Sequence, residues 1–342
     1  MADMRLGKSG ITVNRLAFGA LPLQRLSLPD AVALLRRAVD GGITFFDTAR
    51  LYTDSEAKLG MALDGIRKNV VIATKTMGKD SAAVKADLTA SLAALRTDYV
   101  DLYQVHNAKA VPKPGDGTGI YETLDELKRQ GVIRAVGLSA HSLSVAREAA
   151  LSGLYETVQY PFSLLAAPEE EELVRICREG DVGFIAMKAL AGGLITNIPA
   201  AYAYIHCFEN VLPIWGIQAM CELEQFLTLA AAPPAWDGAL QQQAAGERET
   251  LSGQFCRGCG YCLPCPQDIE IPNVARMKYL LRRSPWQTYT SDLWKEKMAK
   301  AATCIECGIC ASRCPYELNT PALVQEHTLA YQAFMKEKGI AL

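Results

Sequence analysis

The stretch Gly42–Glu56, GITFFDTARLYTDSE, decides how the rest of the chain is read. Ile43 to Phe46 form an apolar, β-favouring run that ends abruptly at Asp47, and Tyr52 follows in a loop before Ser55 and Glu56 open a helical pattern. Taken alone, such a pair reads as an aspartate capping a turn beside a half-buried tyrosine. What ends the other strands determines whether it is more.

The same texture recurs along the chain. Apolar runs lie at Leu16–Phe18, Ile43–Phe46, Val70–Thr74, Val100–Val105, Val132–Leu138, Thr157–Tyr160, Val182–Met187 and Val211–Trp215. Between them Val84, Leu88, Leu92 and Leu95 keep helical spacing, as do Tyr121, Leu124 and Leu127. Ser27, Pro29 and Asp30 signal a helix start, and residues 5 to 14 read as a small hairpin turning at Lys8-Ser9-Gly10. Strands apolar on both faces, each followed by a helix, argue for a parallel sheet, and eight units argue for closure into a (β/α)8 barrel. An open doubly wound sheet is the competitor, but no glycine fingerprint follows the first strand.

Near residue 232 the texture shifts to Ala-Pro-Pro-Ala and then to a polar stretch from Gln241 to Thr250. The expected organisation is a barrel over 1–231, a linker or linking helix over 232–252, and a small, mainly helical module over 253–342 with helical segments around Val274–Leu281, Trp294–Ala302 and Pro321–Lys336. The 35 basic and 37 acidic residues nearly balance, so no net field draws nucleic acid or an anionic membrane, and small neutral partners are expected. The first twenty residues lack the apolar core of a signal peptide, and no apolar run approaches about eighteen residues, so a cytoplasmic protein is expected.

In a barrel of this kind the carboxyl ends of the strands converge on one face. Asp47 ends the second strand, Lys75 the third and His106 follows the fourth, with Tyr52 in the loop after the second. A tyrosine with a pKa near 10 is a poor acid at neutral pH, but an adjacent ammonium favours its phenolate, and a carboxylate behind the lysine holds that ammonium in place. His106, as a neutral donor, could hold a carbonyl oxygen near the tyrosine hydroxyl. A carbonyl so polarised can accept a hydride, which no side chain supplies, so a redox cofactor is required.

On these residues, residues 1 to about 231 resemble the aldo/keto reductase family: GITFFDTARLYTDSE with Asp47 and Tyr52, VVIATKT with Lys75, and DYVDLYQVHN with His106. The resemblance implies a catalytic tetrad of those four residues on a (β/α)8 barrel that uses a nicotinamide cofactor to reduce a carbonyl or oxidise an alcohol. It further implies that Ser139 in GLSAHS and Gln159 in VQYPFS bind the nicotinamide carboxamide. The asparagine that often follows the serine is Ala140 here. Where many members stack a tyrosine, IAMKALAGGL offers Met187 followed by Lys188, and Gly192 and Gly193 could admit a pyrophosphate. After the eighth strand, WGIQAMCELEQFL supplies Gly216 but no cation for a ribose phosphate, and Glu222 and Glu224 lie nearby. NADPH preference is therefore not indicated, and NADH, NADPH and a flavin all stay open.

Eight of the eleven cysteines crowd into two clusters, Cys256, Cys259, Cys262 and Cys265 before Pro266, and Cys304, Cys307, Cys310 and Cys314 before Pro315. The second set has the bacterial ferredoxin spacing, whose tight third cysteine and trailing proline structural zinc does not require. The segment is similar to two-cluster ferredoxins. That similarity implies two [4Fe-4S] clusters, one on Cys256, Cys259, Cys262 and Cys314, the other on Cys304, Cys307, Cys310 and Cys265. The first motif has two residues rather than three before its last cysteine. Three functions follow: a nicotinamide-dependent carbonyl or alcohol oxidoreductase; an electron-transfer oxidoreductase whose clusters link a barrel-bound substrate or flavin to a carrier protein; or a non-catalytic redox-sensing or interaction protein.

Overall fold

The computed structural model describes residues 3–251, 255–283 and 286–342. Two compact units divide the chain: Met1–Ala189 with Pro199–Gln242, and Leu190–Ile198 with Gln243–Leu342. The second unit thus includes a nine-residue segment that the expected boundary near 231 assigns to the barrel.

In the first unit, β1 (Asp3–Arg5) and β2 (Thr12–Asn14) form an antiparallel hairpin. Eight parallel strands follow: β3 (Ala17–Gly19), β4 (Phe45–Asp47), β5 (Val71–Thr76), β6 (Val100–Val105), β7 (Ile133–Ser139), β8 (Thr157–Pro161), β9 (Gly183–Met187) and β10 (Val211–Gly216). They close in the order β10-β3-β4-β5-β6-β7-β8-β9, the expected (β/α)8 barrel. Side chains on alternate positions point inward, and Phe45, Ala73, Leu102, Ala135, Ile185 and Leu212 pack there as one buried layer with Leu6 and Ile11 of the hairpin. The hairpin therefore plugs the end of the barrel away from the strand termini that carry the titratable groups.

Helices coat the outside for the reasons read in the sequence. Ser27 caps the helix Leu28–Asp40, its Oγ accepting from Asp30 N at 3.3 Å. Lys58, on the helix Ser55–Ala62, is buried and donates to the carbonyls of Leu23 and Leu26 at 2.9 and 2.8 Å while pairing with Asp54. It ties the segment after β3 to the helix that follows Tyr52. Ser55 Oγ adds a bond to Ala20 O at 3.0 Å, and Ser55 N donates to Tyr52 O at 2.8 Å. The loop bearing Tyr52 is thus fixed at both ends.

The second unit is helical. Its segments Ile271–Val274, Met277–Arg283, Asp292–Ala301, Ile309–Ser312 and Thr320–Glu337 surround a core in which Val274, Met277, Met298, Val324, Tyr331 and Met335 pack with the thiols of Cys256, Cys262 and Cys310. A helix Gly238–Thr250 occupies the expected linking stretch. Among the described residues no helix is long and apolar enough to cross a membrane.

Candidate active site and cysteine-lined cavities

Barrel geometry brings the four expected groups to one end. Asp47 is the last residue of β4 and pairs in register with Ala73, so Lys75, two residues on, faces the same interior one layer higher. Lys75 in turn lies opposite Gln104, two residues before His106. Lys75 Nζ donates to Asp47 Oδ1 and to Thr48 O, both at 2.6 Å, and stands 5.4 Å from the centre of the Tyr52 ring. The rings of Tyr52 and His106 meet edge to face, centroids 5.7 Å apart.

Asp47 and Lys75 are 2% and 1% exposed, so their charges are expensive unless shared. Burial pushes the Asp47 carboxyl up from its ordinary value, against the stabilising effect of Lys75 and the amides of Gln159 and Gln104. Burial pulls the Lys75 ammonium down, against the effect of Asp47 and Glu56. Three donors on the carboxylate and two acceptors on the ammonium favour the charged pair. Burial, reinforced by Lys75, pushes His106 down to about 3, so at neutral pH its imidazole is uncharged and one ring nitrogen carries a proton.

Gln104 belongs to this site although it was not a candidate in the sequence. Its Nε2 donates to Gln159 Oε1 at 2.9 Å and to Asp47 Oδ2 at 3.4 Å, while Gln159 Nε2 donates to Asp47 Oδ1 at 3.4 Å. Gly137 makes room for it: a Cβ there would lie 2.9 Å from Gln104 Cγ. Inward alternation through Leu102, Gln104 and His106 is the signal by which it could have been found.

Ser139 ends β7, opposite Gln159. It is buried, and its Oγ accepts from Asn107 N at 2.9 Å while its carbonyl accepts from Ala108 N at 2.8 Å. Asn107 has φ +49 and is 8% exposed, and its buried Oδ1 has no hydrogen-bond partner among the described residues. Lys188 follows β9 with φ +58. It acts with His106 and Lys109 on the buried His141, whose imidazole burial holds well below its ordinary value.

Gly216 closes β10 and is exposed, and a Cβ added there would lie 3.3 Å from Pro22 Cγ. The nearby carboxylates are both engaged: Glu222 Oε2 accepts from the amides of Gln218 and Ala219, and Glu224 forms a bidentate pair with Arg37 at 2.7 and 2.9 Å. A cation does stand by this loop. Arg25, from the segment after β3, donates to Gln218 Oε1 at 3.0 Å. Gly192 and Gly193 fall in the segment that joins the second unit, where Gly192 O accepts from Arg276 Nη1 at 2.7 Å.

In the second unit the eight cysteines sort into two cavities. Cys256, Cys259, Cys262 and Cys314 line one. Cys265, Cys304, Cys307 and Cys310 line the other, which Cys262 also lines. Each cavity draws thiols from both motifs, as the similarity to two-cluster ferredoxins implies. Four thiolates on one zinc would all lie about 2.3 Å from a single point, whereas the tight third cysteine and trailing proline of these motifs suit cubanes. Close backbone supports one of them: Gly258 N donates to Cys256 Sγ at 3.3 Å, and a Cβ on Gly258 would lie 2.7 Å from Arg276 Cζ. Gly258 has φ +65, so the loop needs glycine on both counts. Cys177 is a buried thiol of the first unit, pushed up to about 12 by burial.

A (β/α)8 barrel with a buried Asp-Lys pair, a tyrosine and a neutral histidine at its mouth, in one chain with two cysteine-lined cavities, defines an oxidoreductase with an iron-sulfur module. The chain belongs to the aldo/keto reductase family, whose model matches residues 15–209, and it carries a 4Fe-4S dicluster domain matched over residues 255–319. It is 30% identical to the uncharacterized oxidoreductase YqkF of Bacillus subtilis over 213 residues, 58% of this chain and 68% of that protein. Among solved structures, the holo form of an aldo-keto reductase of Bacillus halodurans superposes with a TM-score of 0.64 at 24% identity, over 72% of this chain and 96% of the other. An aldo/keto reductase of Klebsiella pneumoniae in complex with NADP and acetate superposes with a TM-score of 0.60 at 23% identity, over 71% and 94%. At these identities the two structures speak for the fold alone.

Proposed function

We propose that the barrel interconverts a carbonyl compound and its alcohol by hydride transfer, with Tyr52 as the proton donor and acceptor, and that the C-terminal unit holds two [4Fe-4S] clusters. The observation that carries the first part is Lys75 Nζ, held between Asp47 and Thr48 O and 5.4 Å from the Tyr52 ring. A positive charge at that place stabilises the phenolate that remains when Tyr52 gives up its proton, making the hydroxyl a stronger acid where the carbonyl oxygen becomes an alkoxide. Asp47, itself held by Gln104 Nε2, keeps the ammonium oriented. His106, neutral because it is buried, donates its ring N–H to the same oxygen without repelling Lys75.

A bound nicotinamide nucleotide would supply the hydride. Its site fits the residues present: Ser139 offers a hydroxyl and Asn107 an unsatisfied carbonyl beside the tetrad. Carbon then gains the hydride and oxygen the Tyr52 proton, so the reduction balances.

The test is anaerobic purification of the holoprotein, titration with NADPH and NADH, and turnover with a panel of aldehydes and ketones followed by loss of reduced-nicotinamide absorbance. Binding of neither nucleotide overturns the hydride reading.

In the second unit, the assignment of cluster ligands rests on the shared linings: Cys256, Cys259, Cys262 and Cys314 for one cubane, Cys265, Cys304, Cys307 and Cys310 for the other. A second reading, in which the clusters pass single electrons to a carrier protein, is favoured by the exposure of Cys307 in a set whose Cys310 is buried. Cluster absorbance that stays constant through turnover would sink it.

A further inference from the structure

The two cysteine motifs differ in the residue that follows their first cysteine. CRGCGYC places Arg257 there, and CIECGIC places Ile305. Each of these side chains lines the cavity of its own motif: Arg257 stands with Cys256, Cys259, Cys262 and Cys314, and Ile305 with Cys265, Cys304, Cys307 and Cys310.

Arg257 is half-buried and held in place. Its Nη1 donates to Phe255 O at 2.7 Å, and its guanidinium carbon lies 3.9 Å from the centre of the Phe255 ring and 5.2 Å from that of Tyr316, which lines the same cavity. It forms no ion pair with a carboxylate among the described residues, so its charge is not cancelled locally. A second guanidinium stands beside this loop. Arg276 Cζ would lie 2.7 Å from a Cβ on Gly258, whose N–H donates to Cys256 Sγ. Beyond its thiols, the other cavity is lined by prolines, aliphatic side chains and Gln267, with no charged residue among the described ones.

A cubane on four thiolates becomes one charge more negative when it takes an electron, so a fixed cation in the wall favours the reduced state and an apolar wall disfavours it. The exposed Cys307 admits water at one corner of the apolar cavity, which favours reduction there too, but a full charge fixed in the wall outweighs solvation of one ligand. We propose that Arg257 raises the potential of the cluster on Cys256, Cys259, Cys262 and Cys314 above that of its neighbour, so that the first electron to enter the unit settles there. Arg257 is then a positioning residue for charge, acting through the cluster and not on a substrate. The proposal rests on the two-cluster reading of this unit.

The test is a redox titration of the anaerobic holoprotein with dithionite and mediators, followed by electron paramagnetic resonance, after iron and sulfide have been counted. Wild type is expected to show two one-electron waves, the higher one perturbed by Cys314→Ser and not by Cys304→Ser. Arg257→Gln removes the charge and should shift the higher wave down by about ten-fold in the reduction equilibrium, about 59 mV for one electron, and leave the lower wave in place. Arg257→Lys keeps a charge and should stay near wild type, which a role in packing alone would not secure. Coincident waves in wild type, a higher wave perturbed by Cys304→Ser instead, or an iron-replete Arg257→Gln whose higher wave does not move overturns the tuning while leaving two clusters standing. Holoprotein with too little iron and sulfide for two clusters overturns both.

Discussion

Lys75→Met separates the charge pair on which the proposed proton relay depends. Methionine has nearly the length and volume of lysine without its charge, so the packing loss is small and the electrostatic loss dominates. Asp47 and Lys75 are both almost fully buried and meet at 2.6 Å. Deleting one partner of such a pair leaves an uncompensated buried charge and costs about 3–5 kcal/mol. In a barrel of this size that lowers the melting temperature by roughly 6–20 °C. The loss has a definite pH dependence. With Lys75 gone, burial raises the Asp47 carboxyl above its unfolded value near 3.9, with only the 3.4 Å bonds from Gln104 and Gln159 to oppose it. A group raised in this way favours the fold fully below its unfolded pKa and loses that contribution as pH rises through the folded one. The gap between variant and wild type should therefore be wider at pH about 8 than at about 5. Asp47→Asn added to Lys75→Met removes both charges and should recover at least half of the loss. Melting followed by circular dichroism on anaerobic protein, read as the difference from wild type at each pH, decides. A variant that melts with wild type at both pH values, or a double variant less stable than either single one, refutes the reasoning.

Tyr52→Phe should lower the rate of carbonyl reduction by about 10²–10⁴ while leaving the melting temperature nearly unchanged, since the half-exposed ring is kept and only a proton donor is lost; retained turnover removes Tyr52 from its role. All four histidines are held neutral by burial, His106 near 3, His206 and His327 near 4 and His141 well below its ordinary value. Because the unfolded chain binds protons that the folded one refuses, stability should fall as pH drops below about 6.5, and unfolding at pH about 5.5 should take up roughly three to four protons, measurable by calorimetry in buffers of differing ionisation enthalpy; no net uptake contradicts the burial of these rings. Cys265→Ser and Cys304→Ser should perturb the same electron paramagnetic resonance signal and Cys256→Ser and Cys314→Ser the other, each single change costing up to about half of the bound iron; Cys265→Ser and Cys256→Ser altering one common signal would break the cross-motif assignment.

The contrast between what the sequence reveals and what it hides follows the physics of the two half-reactions. Asp47, Lys75 and His106 are legible because each interrupts or ends an apolar strand, where a charge is too costly to be accidental, and strand order alone brings neighbours to one face. The cysteines are legible because cluster geometry dictates their spacing, whereas spacing alone leaves uncertain how thiols of the two motifs group, and each cavity is lined by thiols from both. Gln104 is hidden because a neutral amide inside VDLYQVHN does not break the run, yet alternation places it against Asp47. The residues proposed for the nicotinamide side are harder to read because they come from several loops, with no local pattern to link them. Asn107 meets Ser139 from across 32 positions, and Arg25 stands beside Gln218 from across 193. The segment 190–198 carries glycines that read as a phosphate loop, yet its carbonyl at Gly192 is taken by Arg276 of the helical unit. Proton delivery needs a buried charge relay, which leaves a mark in each strand that contributes to it. Orienting a neutral ring needs only one donor and one acceptor at the right separation, and many pairs of loop residues can supply them.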